Sequence, residues 1–294
     1  MIVLDSKQLE LLVLPEVGGK IGQIRDKKTS RGILVPPQKP YKTIAARESW
    51  LDYDTSGMDD CFPNVAAGPY PFEPWTGIRL PDLGEWTHET WRLSTVTNSE
   101  VALERNGDWL PYRARKRISF AEDRTVDVWY RLENIGTDPF RYMWSAHPLI
   151  SVGSGFELIL PPGHMGFRTF PFDNRSYTWP HYGDTDLSHS WIPDATGLKV
   201  FVIGLREGWC ELRQRWGSLR FTFDLGMTPV LGLWFNNLGF PAAATPPFRC
   251  IAVEPCTSAS DLLGELPPDA YPIIDPGGIK EWSLRVNISG VGRE

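Results

Sequence analysis

Residues Tyr112–Asn134 read YRARKRISFAEDRTVDVWYRLEN, and their alternation decides the fold class. Tyr112, Ala114, Lys116, Ile118 and Phe120 fall on one face; Arg113, Arg115, Arg117 and Ser119 fall on the other. A strand turns successive side chains to opposite sides, so this is a strand with one buried face. After Ala121-Glu122-Asp123-Arg124, the run Thr125–Asn134 sends Val126, Val128, Tyr130 and Leu132 one way. The two runs predict an antiparallel hairpin. The arginine stripe has the charge to grip an anionic sugar. Cross-strand pairing with Asp127 and Glu133 explains it more cheaply, as a solvated face.

Outward from the hairpin, the pattern is strand after strand. Gln8–Leu14 and Gly19–Asp26 flank the turn signal Pro15-Glu16-Val17-Gly18. Further strands are predicted at Glu85–Leu93, Glu100–Asn106, Phe140–His147, Phe156–Leu160 and Phe201–Leu205. Cys210–Gln214, Leu219–Phe223, Val230–Phe235, Cys250–Glu254 and Lys280–Ile288 complete the set. Only short pieces such as Ser260–Glu265 read as helix. So many alternating strands with so few helices predict an antiparallel all-β protein. No repeat or linker divides the chain, so a single domain over residues 1–294 is expected. Two long segments, Pro36–Asp60 and Phe170–Thr196, lack periodicity and are expected to wall a binding site.

Composition narrows the function. The 294 residues carry 30 Lys and Arg against 36 Asp and Glu, a net charge of −6 that excludes the basic footprint of a nucleic-acid binder. The 13 Trp raise a carbohydrate reading, because indole faces stack on the C–H faces of sugar rings. The 26 Pro and 27 Gly punctuate many turns, which again favours short strands. Cys61, Cys210, Cys250 and Cys256 form no CxxC or CxxH pair, so no zinc site of ordinary spacing is present. Cys250 and Cys256 would lie roughly 20 Å apart along one strand, too far for a disulfide. The amino terminus, Met1-Ile2-Val3-Leu4-Asp5, lacks a signal-peptide pattern, and no apolar run is long enough to span a membrane. A reduced, cytoplasmic protein is expected.

Several signatures carry no chemistry. Gly153-Ser154-Gly155 and Gly18-Gly19 open no helix, so no phosphate loop is supported. Asp184-Thr185-Asp186-Leu187-Ser188 starts like a calcium loop but places His189 and Ala195 where Gly and Glu belong.

Four segments together are more informative. They are LVLPEVGGKIGQIR at Leu12–Arg25; GMDDCFPN at Gly57–Asn64, followed by PDLGEWTHETW at Pro81–Trp91; YMWSAHP at Tyr142–Pro148; and CIAVEPCT at Cys250–Thr257. In this order they resemble the aldose 1-epimerase (galactose mutarotase-like) family, nearly end to end. The resemblance implies a large twisted β-sandwich, a sugar groove, and no required cofactor or metal. It implies Glu254 as the base that takes the C1 hydroxyl proton and His147 as the acid at the ring oxygen, on opposite sides of the C1–O5 unit. A pair of such groups suffices to open and reclose a hemiacetal.

The same resemblance puts Leu83 where the family usually has a second, sugar-contacting histidine. His88 is a substitute only if a bulge reverses its odd offset on a strand. Asp59 and Asp60 are placed near the ligand, with Trp144, Trp86 and Trp234 as stacking faces. Arg47 and Arg79 are candidates for a guanidinium contact by location alone. The implied partner is a small-molecule sugar, neutral or mildly acidic, with no nucleic acid and no membrane, for a monomer or homodimer. The implied activity is anomer interconversion by an isomerase. The alternative is a non-catalytic sugar-binding or sensory protein, which the loss at Leu83 invites.

Overall fold

The hairpin forms as the alternation requires. In a computed structural model that describes residues 1–45, 48–163, 165–173, 175–242 and 246–290, Tyr112–Glu122 pairs antiparallel with Thr125–Asn134, Tyr130 opposite Lys116 and Leu132 opposite Ala114. It lies within an eight-stranded sheet, between Glu100–Asn106 on one side and Ile279–Gly290 on the other. The apolar face is buried and the arginine face lies toward solvent. Arg113 meets Glu133 at 3.6 Å as expected. Arg115 and Arg117 turn instead to Glu104 and Glu100, at 3.5 and 3.8 Å. Asp127 is taken by Arg285 at 2.7 Å, because the strand Ile279–Gly290 places that residue directly opposite it.

A ten-stranded antiparallel sheet packs against the first. Its central strands run in the order Lys20–Asp26, Met58–Cys61, Ser145–Ser151, Arg249–Cys256, Val230–Asn237, Thr196–Ile203 and Gly166–Phe170. The innermost strands, Met58–Cys61, Ser145–Ser151, Arg249–Cys256 and Val230–Asn237, are buried on both faces, which is why Arg249–Cys256 reads RCIAVEPC with little alternation. One face meets the eight-stranded sheet in the main core. The other is partly covered by Val35, Ile44, Trp50 and Tyr53 from the long segment after Val35, which pack on Cys61, Leu149, Cys250 and Ala252. The fold is a large antiparallel β-sandwich.

Some elements differ from the sequence expectation. Glu85–Thr87 is a turn of 3-10 helix, and the next strand begins only at Arg92. The fully buried Glu85 explains this: its carboxylate accepts the backbone N–H groups of Asp108, Trp109 and Leu110 and the Tyr112 hydroxyl. Those bonds hold the chain in a turn that a strand cannot make. Phe140–His147 divides into Phe140–Arg141 and Ser145–Ser151. Ser260–Glu265 forms turns, not helix, with the Ser260 hydroxyl accepting the Leu262 N–H at 3.0 Å. All four cysteines are free and buried. Among the described residues, no helix is long and apolar enough to cross a membrane.

Candidate active site

Strand register assembles the site on the outer face of the ten-stranded sheet. Ser145 stands opposite Cys256 and Leu149 opposite Ala252, so His147 lies level with Glu254 on the adjacent strand. Next across the sheet, Gly232 pairs with Glu254. On the neighbouring row Trp234 pairs with Ala252 and Lys199 with Trp234. Gly232 leaves a gap beside the Glu254 carboxylate. A Cβ there would sit 3.2 Å from Glu254 Cβ and 3.4 Å from Lys199 Cε, so its absence lets the lysine stem cross toward the carboxylate.

Glu254 is fully buried. Its Oε2 accepts from the Lys199 ammonium and, at 3.4 Å, from Ser145 Oγ. Its Oε1 has no hydrogen-bond partner and lies 3.8 Å from His147 Nε2. Lys199 also faces Asp261 Oδ1 at 3.6 Å, so one ammonium bridges two carboxylates. His147 packs edge-on against Trp50, with centroids 5.2 Å apart, and stacks near Trp234 at 6.1 Å. Burial, with Lys199 and Lys20 nearby, depresses its pKa to about 3, so the imidazole is neutral at pH 7. Burial, reinforced by Glu254 and Asp82 against the pull of Lys199, raises Asp261 to about 6. For Lys199 burial alone would lower the pKa, but Asp261 and Glu254 outweigh it and hold the amine charged.

Above this floor lies a cleft of about 360 Å³ with largely apolar walls. Trp50 and Leu51 come from a 3-10 turn; Asp82 Oδ2 accepts the Trp50 N–H at 2.8 Å and the Ser49 hydroxyl at 3.1 Å. Leu83 enters with φ +59, in the left-handed region, beside Gly84 at φ +73. Phe170 and Pro171 from the second long segment, with Trp234 and Phe240, close the other side. Both segments expected to wall a site do so.

The structure therefore brings Glu254, His147, Trp234 and Leu83 together. It does not place Glu254 and His147 on opposite sides of a ligand, since at 3.8 Å they stand side by side on the floor. Trp86 and Trp144 belong to the core between the sheets, Trp86 stacked on Phe62 at 4.8 Å and Trp144 edge-on to Tyr130 at 4.9 Å. Asp60 also points into the core, where it binds Lys116 and Tyr130. Asp59 shares the face of His147 but is buried against Lys20 at 3.2 Å and does not line the cleft. His88 follows the Glu85–Thr87 turn, and its Nε2 meets the Asp82 carbonyl oxygen at 2.8 Å, away from the cleft. Arg79 is exposed on the short strand Arg79–Leu80, and Arg47 lies outside the described residues. Sequence reasoning missed Lys199, Asp261, Asp82 and Trp50. Lys199 carried a usable signal: like Glu254, it is a charge within an apolar strand, Thr196–Ile203, where it is costly unless paired.

Comparison with known proteins shows that the fold is the galactose mutarotase-like β-sandwich. No family model matches the sequence, and no curated protein matches it. Among solved structures, a galactose mutarotase-like protein from Lactobacillus casei covers 98% of this chain and 99% of its own at TM-score 0.72 and 15% identity. A galactose mutarotase related enzyme from Lactobacillus acidophilus covers 100% and 98% at TM-score 0.74 and 11% identity. A galactose mutarotase-like protein from Clostridium acetobutylicum covers 98% and 95% at TM-score 0.68 and 12% identity.

Proposed function

We propose that the cleft binds the reducing end of a sugar and exchanges its anomers, with Glu254 as base and His147 on the acid side. The observation that carries this reading is the free Oε1 of a buried glutamate beside a neutral imidazole that itself lines an aromatic-walled cleft. The two oxygens of a hemiacetal sit on one carbon, so a base and a donor side by side reach both from one direction. Glu254 Oε1 takes the C1 hydroxyl proton. As the C1–O5 bond breaks, O5 leaves as an alkoxide held by a hydrogen bond from His147 Nε2. After rotation about C1–C2 it re-attacks the other face of the aldehyde, and Glu254 returns the proton to O1, which inverts the anomer. Groups so placed contribute about 10²–10⁴-fold each. Lys199 holds the glutamate in position through Oε2 and leaves Oε1 for the substrate.

One observation favours a second reading, a non-catalytic sugar-binding protein. The Lys199 ammonium occupies Oε2 of Glu254, and Leu83 offers no hydrogen bond where the resembling family has an imidazole. Saturation-transfer NMR of α/β exchange over a panel of aldoses separates the two. Exchange by the protein that Leu83→His leaves unchanged or raises supports the enzyme; histidine tolerates the left-handed backbone there better than most residues. Binding without exchange, or a steep fall in Leu83→His, supports the binding protein.

A further inference from the structure

The charges around the cleft are unequal. Asp82 and Asp261 line it and Glu254 is buried behind its lining residues His147 and Lys199, against the single ammonium of Lys199 among the described lining residues. His147 adds no positive charge, being neutral. Both Glu254 and Asp82 oppose ionisation of Asp261. Asp261 is 8% exposed, and its Oδ1, like Glu254 Oε1, is a buried acceptor with no hydrogen-bond donor. Buried acceptors of this kind normally have partners. Beside them stand the indole faces of Trp50 and Trp234, 6.1 Å apart, which attract a cation.

We propose that the preferred ligand of this cleft is a cationic amino sugar, its ammonium held between Asp82 and Asp261 while its anomeric centre meets Glu254 and His147. This rests on the sugar reading above and narrows it, replacing the neutral or mildly acidic sugar expected from sequence. An ammonium supplies a donor to the orphaned Asp261 Oδ1 and balances the local charge, while the C1 hydroxyl supplies one to Glu254 Oε1. A sugar acid or phosphate would bring like charge to the same carboxylates.

Titration calorimetry of the full chain with glucosamine, galactosamine, glucose, galactose, N-acetylglucosamine and glucuronate tests this, alongside the exchange assay. Hydrogen bonds to charged groups lead us to expect amino sugars to bind about ten- to a hundredfold tighter than their parent hexoses. N-acetylglucosamine, uncharged at the same carbon, gains nothing over glucose. In Asp261→Asn the ratio of amino to parent sugar falls toward one, whatever happens to absolute affinity. Equal binding of amino and parent sugars by the unaltered protein overturns the proposal without recourse to any variant, as does tighter binding of glucuronate. If hexoses bind and exchange with no gain from the amine, this inference falls and the sugar reading stands. If no sugar binds or exchanges, both fall.

Discussion

Lys116 and Lys199 are both buried amines paired with carboxylates, yet only Lys199 lines the cleft. Lys116 reaches from the eight-stranded sheet into the core, donating to Asp60 Oδ2 at 2.8 Å and to the Gly19 carbonyl at 2.6 Å. The other Asp60 oxygen accepts the Tyr130 hydroxyl at 2.8 Å, so both carboxylate oxygens are occupied. Lys199 lies on the outer face of the other sheet, and both carboxylates it touches keep an oxygen without a donor. A saturated buried pair is internal structure, costly to break and inert. An unsaturated pair at the floor of a cleft holds hydrogen-bonding capacity in reserve. Both amines are buried and ion-paired; the orphaned oxygens distinguish the two regions.

The strongest way to break this contrast is to remove the base while keeping its shape. Glu254→Gln is expected to lower α/β exchange about 10²–10⁴-fold in the saturation-transfer assay. Exchange near the unaltered rate would mean that Oε1 is no base and that its lack of a partner has another cause.

Next come the lysines themselves. Lys116→Met leaves a buried carboxylate unpaired between the sheets, and a loss of about 3–5 kcal/mol in urea unfolding is expected. Sugar affinity should not change, because the site lies on the opposite face. Lys199→Met should cost less stability, since water entering the cleft can solvate Glu254, but it should abolish exchange. Equal stability losses for the two variants would erase the distinction drawn between them.

His147 gives a smaller effect, read through pH. Its folded pKa, about 3, lies below the ordinary 6.5. The unfolded chain therefore binds the proton more tightly, and this residue's contribution to stability is lost as pH falls from about 6.5 toward 3. Asp59 and Asp261, both raised to about 6, act in the opposite sense between about 4 and 6, so the total curve conceals the histidine. The difference between unaltered protein and His147→Gln isolates it. That difference should shrink by no more than about 1.4 kcal/mol per pH unit on acidification. A difference flat from pH 7 to 4 would mean that the imidazole is not held neutral by burial.

Much of this was legible in the sequence, for physical reasons that also mark where legibility ended. Alternation in Tyr112–Asn134 is a local property of a half-buried strand, and it carried the hairpin and the all-β class directly. Glu254 and His147 were reachable because each sits in a compact segment, CIAVEPCT and YMWSAHP. Trp86 and Trp144 were misplaced because indole serves core and ligand equally well, and sequence alone does not say which sheet face a residue joins. Glu85–Leu93 was misread because Glu85 holds a loop some twenty residues ahead, a constraint no local pattern carries. Lys199 and Asp261 meet Glu254 only through the register of three strands and the turn that follows Cys256.

Gly232 offers the finest test, because it probes the open cluster without removing any charge. Its missing side chain is the space through which Lys199 reaches Glu254. In Gly232→Ala the new Cβ would stand 3.2 Å from Glu254 Cβ and 3.4 Å from Lys199 Cε, tight enough to displace both by a few tenths of an ångström. The lysine stem is flexible and alanine suits a strand better than glycine, so stability should move by no more than about 1 kcal/mol in either direction. Catalysis is less tolerant: a misplacement of about 1 Å can cost 10²-fold, so a shift of a few tenths should slow exchange by roughly three- to tenfold. The measurement is the exchange rate and the urea midpoint on the same preparation. A slower rate at an unchanged midpoint locates the effect in the geometry of the Lys199–Glu254 pair. An unchanged rate would mean that Oε1 keeps its aim without help from the lysine, and that the ion pair on Oε2 serves the sheet alone, as the Lys116 cluster does the core.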